Sequence, residues 1–163
     1  MSSEENLMEA FAGESQANRK YLAFAKKADK DGFKQVAKLF RAAAEAETVH
    51  AHNHLEITGG IDETKENLLT AIKGETEEFT EMYPNFIAEA KTEENNKAPW
   101  TFSVANKVEQ IHALLYQKAL QNLGYNPELD YYVCALCSNT VEEGAPKKCS
   151  IYEASKSEFM KID

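Results

Sequence analysis

One arrangement of acidic and imidazole side chains occurs twice in this chain. Glu14 is followed 33 residues later by Glu47-Thr48-Val49-His50, and Glu75 is followed 34 residues later by Glu109-Gln110-Ile111-His112. Each lone glutamate follows a glycine (Gly13, Gly74), and each histidine precedes an alanine (Ala51, Ala113). A single Glu-x-x-His on a helix is ordinarily a solvated face. Two copies in register, each with an upstream Gly-Glu at a matching distance, require another explanation.

The surrounding residues read as helix. Leu7, Met8, Phe11, Ser15, Leu22 and Ala25 recur near a 3.6-residue period, and so do Val36, Leu39, Phe40, Ala43, Ala51 and Leu55. The spacing predicts helices over 4–30, 34–58, 62–94 and 100–122. Asp31-Gly32 breaks the first pair, Gly59-Gly60 supplies a left-handed cap, and Asp62 is the expected N-cap of the third helix. Pro84 is expected to kink that helix, and Asn95-Asn96 with Pro99 marks the next turn.

Positions i and i+3 share a helix face, so Glu47 and His50 point one way, as do Glu109 and His112. Antiparallel packing brings Glu14 opposite one pair and Glu75 opposite the other. Carboxylates inside a bundle are costly to desolvate unless paired, protonated or bound to metal. One Glu from each of two helices with a Glu-x-x-His from each of the other two is the ligand pattern of di-iron carboxylate bundles. Mixed carboxylate and imidazole donors suit iron or manganese better than a structural zinc site. The halves differ at one position: Glu78 lies three residues after Glu75, where the first half has Ala17. The i+3 step puts Glu78 on the site face as an additional, asymmetric ligand, and Glu77 off it.

Composition narrows the partners. Of the 163 residues 28% are charged, the net charge is -9, and Lys and Arg are scattered, which disfavours nucleic acid and anionic membranes. The N-terminal residues lack a basic region followed by an apolar run, and no stretch approaches the roughly 18 apolar residues of a membrane span. A cytoplasmic location is the expectation. From Tyr131 the texture changes to turn residues and cysteines. The chain therefore reads as a helical domain over 1–126 and a small cysteine-bearing unit over 127–163. Cys134, Cys137 and Cys149 are an odd number of thiols, which favours a metal site or redox thiols over a disulfide framework.

These motifs resemble the rubrerythrin family. Gly13-Glu14-Ser15-Gln16-Ala17 with Tyr21, Gly74-Glu75-Thr76-Glu77-Glu78 leading to Glu81-Met82-Tyr83-Pro84, and both Glu-x-x-His-Ala pieces carry the resemblance over nearly the whole chain. It implies an all-α, ferritin-like four-helix bundle followed by a small irregular or β rubredoxin-like domain. It implies two irons held by Glu14, Glu47, His50, Glu75, Glu78, Glu109 and His112, with one iron moving between His50 and Glu78 as its oxidation state changes. It further implies a peroxidase that reduces hydrogen peroxide to water in defence against oxidative stress. Tyr21 and Tyr83 resemble the family's active-site tyrosines. The resemblance also implies electrons from a redox donor protein, a rubredoxin or a separate NAD(P)H-linked reductase, and a homodimeric assembly. The other readings are a ferritin-like iron-binding or ferroxidase protein and a metal-stabilised module without activity. Glu78 argues against simple storage.

The tail departs from the family pattern. Rubredoxin-like tails have two Cys-x-x-Cys knuckles, but the position three after Cys149 is Tyr152, and Ser138 and Glu153 replace the glycines that usually follow each knuckle. Three thiolates leave open whether the tail holds iron, zinc with an open position, or no metal.

Overall fold

The computed structural model describes residues 2–163. Among them no helix is long and apolar enough to cross a membrane. The chain divides into two compact units, Met1–Asp62 and Glu63–Asp163.

The first unit is a helical hairpin of α1 (Ser3–Lys30) and α2 (Lys34–Ile57). Ser2 caps α1 by accepting from the Glu5 N–H, and Glu5 returns a bond to the Ser2 N–H, which satisfies two backbone donors that the helix cannot. The buried face of α2 is Ala37, Ala44 and Ala51, a seven-residue repeat, and α1 buries Ala25 and Ala28. Each buried methyl contributes only about 0.8 kcal/mol. Small side chains instead let the helices approach closely, so Asn18 of α1 reaches the Ala44 carbonyl at 2.7 Å and the Thr48 hydroxyl at 2.8 Å. The α2 end is closed as expected: Gly59 has φ +70°, the Gly60 N–H bonds to the Leu55 carbonyl, and a Cβ on Gly60 would lie 2.3 Å from Leu55 Cδ1.

The second unit begins at α3 (Thr64–Glu77), capped at Glu63 rather than at the predicted Asp62 and with no side-chain cap bond. The predicted single helix over 62–94 is in three parts. A π-helical segment, Glu78–Met82, follows α3, and α4 (Tyr83–Thr92) continues from it. Pro84 follows the π segment, inside a run whose backbone stays right-handed helical through Glu77, Glu78, Met82 and Tyr83. The π turn just before it takes the place of a simple kink. The fourth predicted helix is α5, Ala98–Gln121, with Pro99 in its first turn.

The tail forms a three-stranded antiparallel sheet of β1 (Tyr131–Cys134), β2 (Thr140–Glu142) and β3 (Phe159–Ile162), in the order β2-β1-β3. Cys134, Cys137, Cys149 and Ala154 form its core, with Ile151, Phe159 and Val104 of α5 packed around them. Lys118 of α5 bonds Glu142 of β2 at 2.6 Å, and the ring of Trp100 lies 5.5 Å from that of Tyr152. The tail is thus docked on α5 of its own unit.

Candidate metal centre

Helix geometry brings each predicted triad together. In the first unit Glu14 of α1 meets Glu47 and His50 of α2, and in the second Glu75 of α3 meets Glu109 and His112 of α5. In each triad one ligand atom per residue lies within 4.8 Å of the others. His50 Nδ1 is 3.1 Å from Glu47 Oε2. His112 Nδ1 is 2.8 Å from Glu109 Oε2 and 3.6 Å from Glu75 Oε1. Both imidazoles therefore aim the same nitrogen at their carboxylates. His52 is exposed and lines a cavity of about 270 Å³ beside Glu47, and neither it nor half-buried His54 joins a triad.

The carboxylates of the second unit crowd one another. Burial raises the Glu75 pKa above the ordinary carboxylate value, and the Glu109 charge raises it further, with His112 opposing. Burial and then Glu75 raise Glu78 in the same way. Tyr83 is pushed up by burial and by the charges of Glu109, Glu78 and Glu75, so its phenol stays protonated and available to donate. A site that resists the charge of its own carboxylates is one that a cation relieves. The donor set, two carboxylates and an imidazole in each triad with Glu78 beside one of them, fits iron.

A pH dependence follows for the metal-free chain. Glu75 and Glu78 keep their protons to higher pH in the folded state than the 4.5 of the unfolded chain, so the folded state binds more protons in that window. Stability is therefore lost as pH rises from 4.5 through the raised values. Thermal melts of the metal-free chain are expected to fall over that range, and the fall should shrink in Glu75→Gln/Glu78→Gln. A double variant with an undiminished fall would refute the assignment.

The repeat extends further than the two triads. Tyr21, Phe24 and Phe40 form an aromatic trio with ring centroids 5.5–6.4 Å apart, and Tyr83, Phe86 and Phe102 form its counterpart at 5.5–6.3 Å. The two phenylalanines are 16 residues apart in both halves, and the second of them precedes the Glu-x-x-His glutamate by seven in both. Only the step from lone glutamate to tyrosine differs, seven residues from Glu14 and eight from Glu75. The π segment lies within that longer step and accommodates the one extra residue, as i→i+5 turns do. Glu78 is its first residue. Glu78 is not in the tight triad; burial and the Glu75 charge raise its pKa, and the His112 charge opposes them.

In the tail the three sulfurs lie within 4.8 Å of one another, with Cys137 and Cys149 at 3.4 Å. About 3.8 Å is the sulfur spacing of a tetrahedral thiolate site with metal–sulfur bonds near 2.3 Å. Burial pushes the Cys137 thiol up to about 12. Burial also acts to raise Cys149, but N–H groups of Ile151 and Tyr152, with Cys137 and Asn139, outweigh it and hold that thiol below its ordinary value.

The two knuckles have the same backbone. Ser138 N–H bonds to the Cys134 carbonyl and Glu153 N–H to that of Cys149, while Cys134 and Cys149 donate to the carbonyls of Asn139 and Ala154. Ser138 and Glu153 take φ of +61° and +53° where glycine would sit without strain. Tyr152 thus occupies the place that Cys137 holds in the first knuckle, with its ring against Trp100. A four-thiolate iron does not fit this residue set.

Known proteins share this combination of elements. The sequence model of the Rubrerythrin family matches residues 5–120. Rubrerythrin-1 of Clostridium acetobutylicum is 34% identical over 168 residues, which covers 89% of this chain and 86% of the relative. Nigerythrin of Nitratidesulfovibrio vulgaris is 33% identical over 169 residues, covering 95% and 84%. The solved structure of mixed-valent nigerythrin superposes with a TM-score of 0.59 at 32% identity, over 99% of this chain and 87% of that one.

Proposed function

We propose, since this chain belongs to the rubrerythrin family, that it reduces hydrogen peroxide to water with electrons from a separate redox protein. Members of the family are di-iron proteins, and the fold class here is a ferritin-like bundle followed by a small rubredoxin-like sheet domain. The residues for the irons are Glu14, Glu47, His50, Glu75, Glu78, Glu109 and His112. The helical part over 1–126 carries the reaction, and 127–163 is its appended domain.

Reducing one peroxide takes two electrons and two protons and yields two waters. The two irons supply the electrons when bound. The chain supplies what surrounds them. Tyr83, held protonated among Glu75, Glu78 and Glu109, is a donor at the site. Glu78 supplies an anionic oxygen that the first half lacks, and hard anionic donors favour ferric iron. Tyr21 stands at the corresponding place in the first half, in its own aromatic trio. Nigerythrin is known in both a mixed-valent and an all-ferrous state, so a centre of this family can change its electron count in place. A donor protein re-reduces the irons, by way of an NAD(P)H-linked reductase or a rubredoxin, and the working form is a cytoplasmic homodimer in oxidative-stress defence.

The Glu78/Ala17 asymmetry is the observation that carries this reading over iron storage. Anaerobically reduced protein mixed with stoichiometric peroxide should form its diferric absorbance faster than the same protein mixed with dioxygen. Slower oxidation by peroxide would sink the peroxidase reading and favour a ferroxidase.

A further inference from the structure

His112 touches the tail. Its Nε2 lies 2.9 Å from the hydroxyl of Thr140, the first residue of β2 and 28 positions away in the chain. The same hydroxyl lies 3.1 Å from the Ser138 carbonyl, to which it donates. A threonine hydroxyl has one proton. With that proton given to Ser138, Thr140 Oγ1 can only accept from His112, so Nε2 is the protonated nitrogen. A neutral imidazole then has one lone pair left, at Nδ1. Nδ1 is the nitrogen that faces Glu109 and Glu75; its 2.8 Å bond to Glu109 Oε2 carries a proton in the metal-free protein, and a metal ion would take that proton's place.

We propose that Thr140 is a positioning residue: the tail hydroxyl that bridges Ser138 O and His112 Nε2 sets the tautomer and ring orientation that present Nδ1 to metal at the Glu75/Glu109/His112 triad. The proposal rests on reading that triad as part of the di-iron centre. Metal-ligating histidines commonly donate their second N–H to an oxygen, and losing that partner costs 10- to 100-fold in affinity as an order of magnitude.

Thr140 is well placed to hold a ring still. It pairs with Val133 across the β1–β2 ladder, and the preceding residue, Asn139, accepts from the Cys134 N–H through its carbonyl. The Asn139 N–H bonds the Cys137 sulfur. The hydroxyl is therefore fixed by the first cysteine knuckle. Order in the cysteine domain becomes a condition for a correctly turned ligand on α5, whether or not the tail passes electrons.

The test uses the full chain with Thr140→Val, which keeps the β-branched shape without the hydroxyl, and Thr140→Ser, which keeps the hydroxyl. Two-bond proton–nitrogen correlation spectra of histidine-labelled, metal-free protein report the tautomer directly. Wild type and Thr140→Ser should show a proton on His112 Nε2, and Thr140→Val a mixture that includes rings without it. Co(II) titration, followed by bands without thiolate charge transfer, should show one of the two triads weakened about tenfold in Thr140→Val and restored in Thr140→Ser. An Nε2–H tautomer that persists in Thr140→Val, or Co(II) affinity equal in all three proteins, overturns the proposal. If Thr140→Val disorders the tail, seen as loss of its strand amide signals, Thr140→Ser decides alone: a His112 tautomer other than Nε2–H in that folded variant refutes the assignment. A wild-type chain whose triads take up no Co(II) would overturn the di-iron reading instead, because the tautomer is read without metal.

Discussion

Glu78→Ala is expected to keep its iron and to lose about 100-fold in peroxide turnover, the upper end of what losing one group beside a metal costs. Six of the proposed ligand residues remain in the variant, three in each triad, so metal content per chain should match wild type. What disappears is the one carboxylate without a counterpart in the first half. Its placement depends on the π segment. An α-helical continuation from Glu75 has no room for an eighth residue before Tyr83, and the π turn that absorbs it starts at Glu78. Burial and the Glu75 charge raise Glu78, with His112 opposing, and it stands outside the tight cluster. Glu77→Ala is the matched control: Glu77 is exposed and pairs with Lys73 at 3.6 Å. Iron analysis beside peroxide consumption separates the outcomes. Equal turnover in Glu78→Ala and wild type would remove the ligand role, and parallel loss of iron and turnover would make Glu78 an ordinary fixed ligand.

Some of this was legible in the sequence. Helix-forming periodicity, the Gly59-Gly60 cap and the i+3 geometry of both Glu-x-x-His pairs are local properties, and local chemistry decides them. The 33- against 34-residue spacing was equally visible, but its meaning was not. A π turn has no periodic signature of its own, and only the aromatic trios, assembled from two helices each, locate the extra residue between Glu75 and Tyr83. The third helix starts at Thr64, one residue later than an Asp62 cap predicts, and a cap preference of about 1 kcal/mol is too small to fix a helix start to the residue. The Thr140–His112 bond joins a strand to a helix through single side chains, so nothing in the pattern of either segment announces it. Loss of the fourth cysteine was plain in the sequence. That the second knuckle nonetheless keeps its fold was not, because Glu153 at positive φ is a conformation sequence preferences argue against.

That retained knuckle makes Tyr152→Cys a gain-of-site experiment. The new sulfur would enter a backbone already shaped like the Cys134–Cys137 knuckle, opposite three sulfurs gathered within 4.8 Å. The substitution forfeits the Tyr152–Trp100 ring contact, which is worth about 0.5–1.5 kcal/mol. Structural thiolate sites contribute on the order of 10 kcal/mol on binding metal, so the gain outweighs the loss by a wide margin. Iron in the tail is expected to rise to about one per chain, with the thiolate-to-iron absorption of a four-cysteine ferric centre. Re-reduction of the di-iron centre by a reductase should then accelerate. Tyr152→Phe keeps the ring on Trp100 and removes only the hydroxyl, so its tail metal should equal wild type. Unchanged metal content and colour in Tyr152→Cys would mean that the missing thiol is not what separates this tail from an iron-bearing one, and the strained positions at Ser138 and Glu153 would be the next to change.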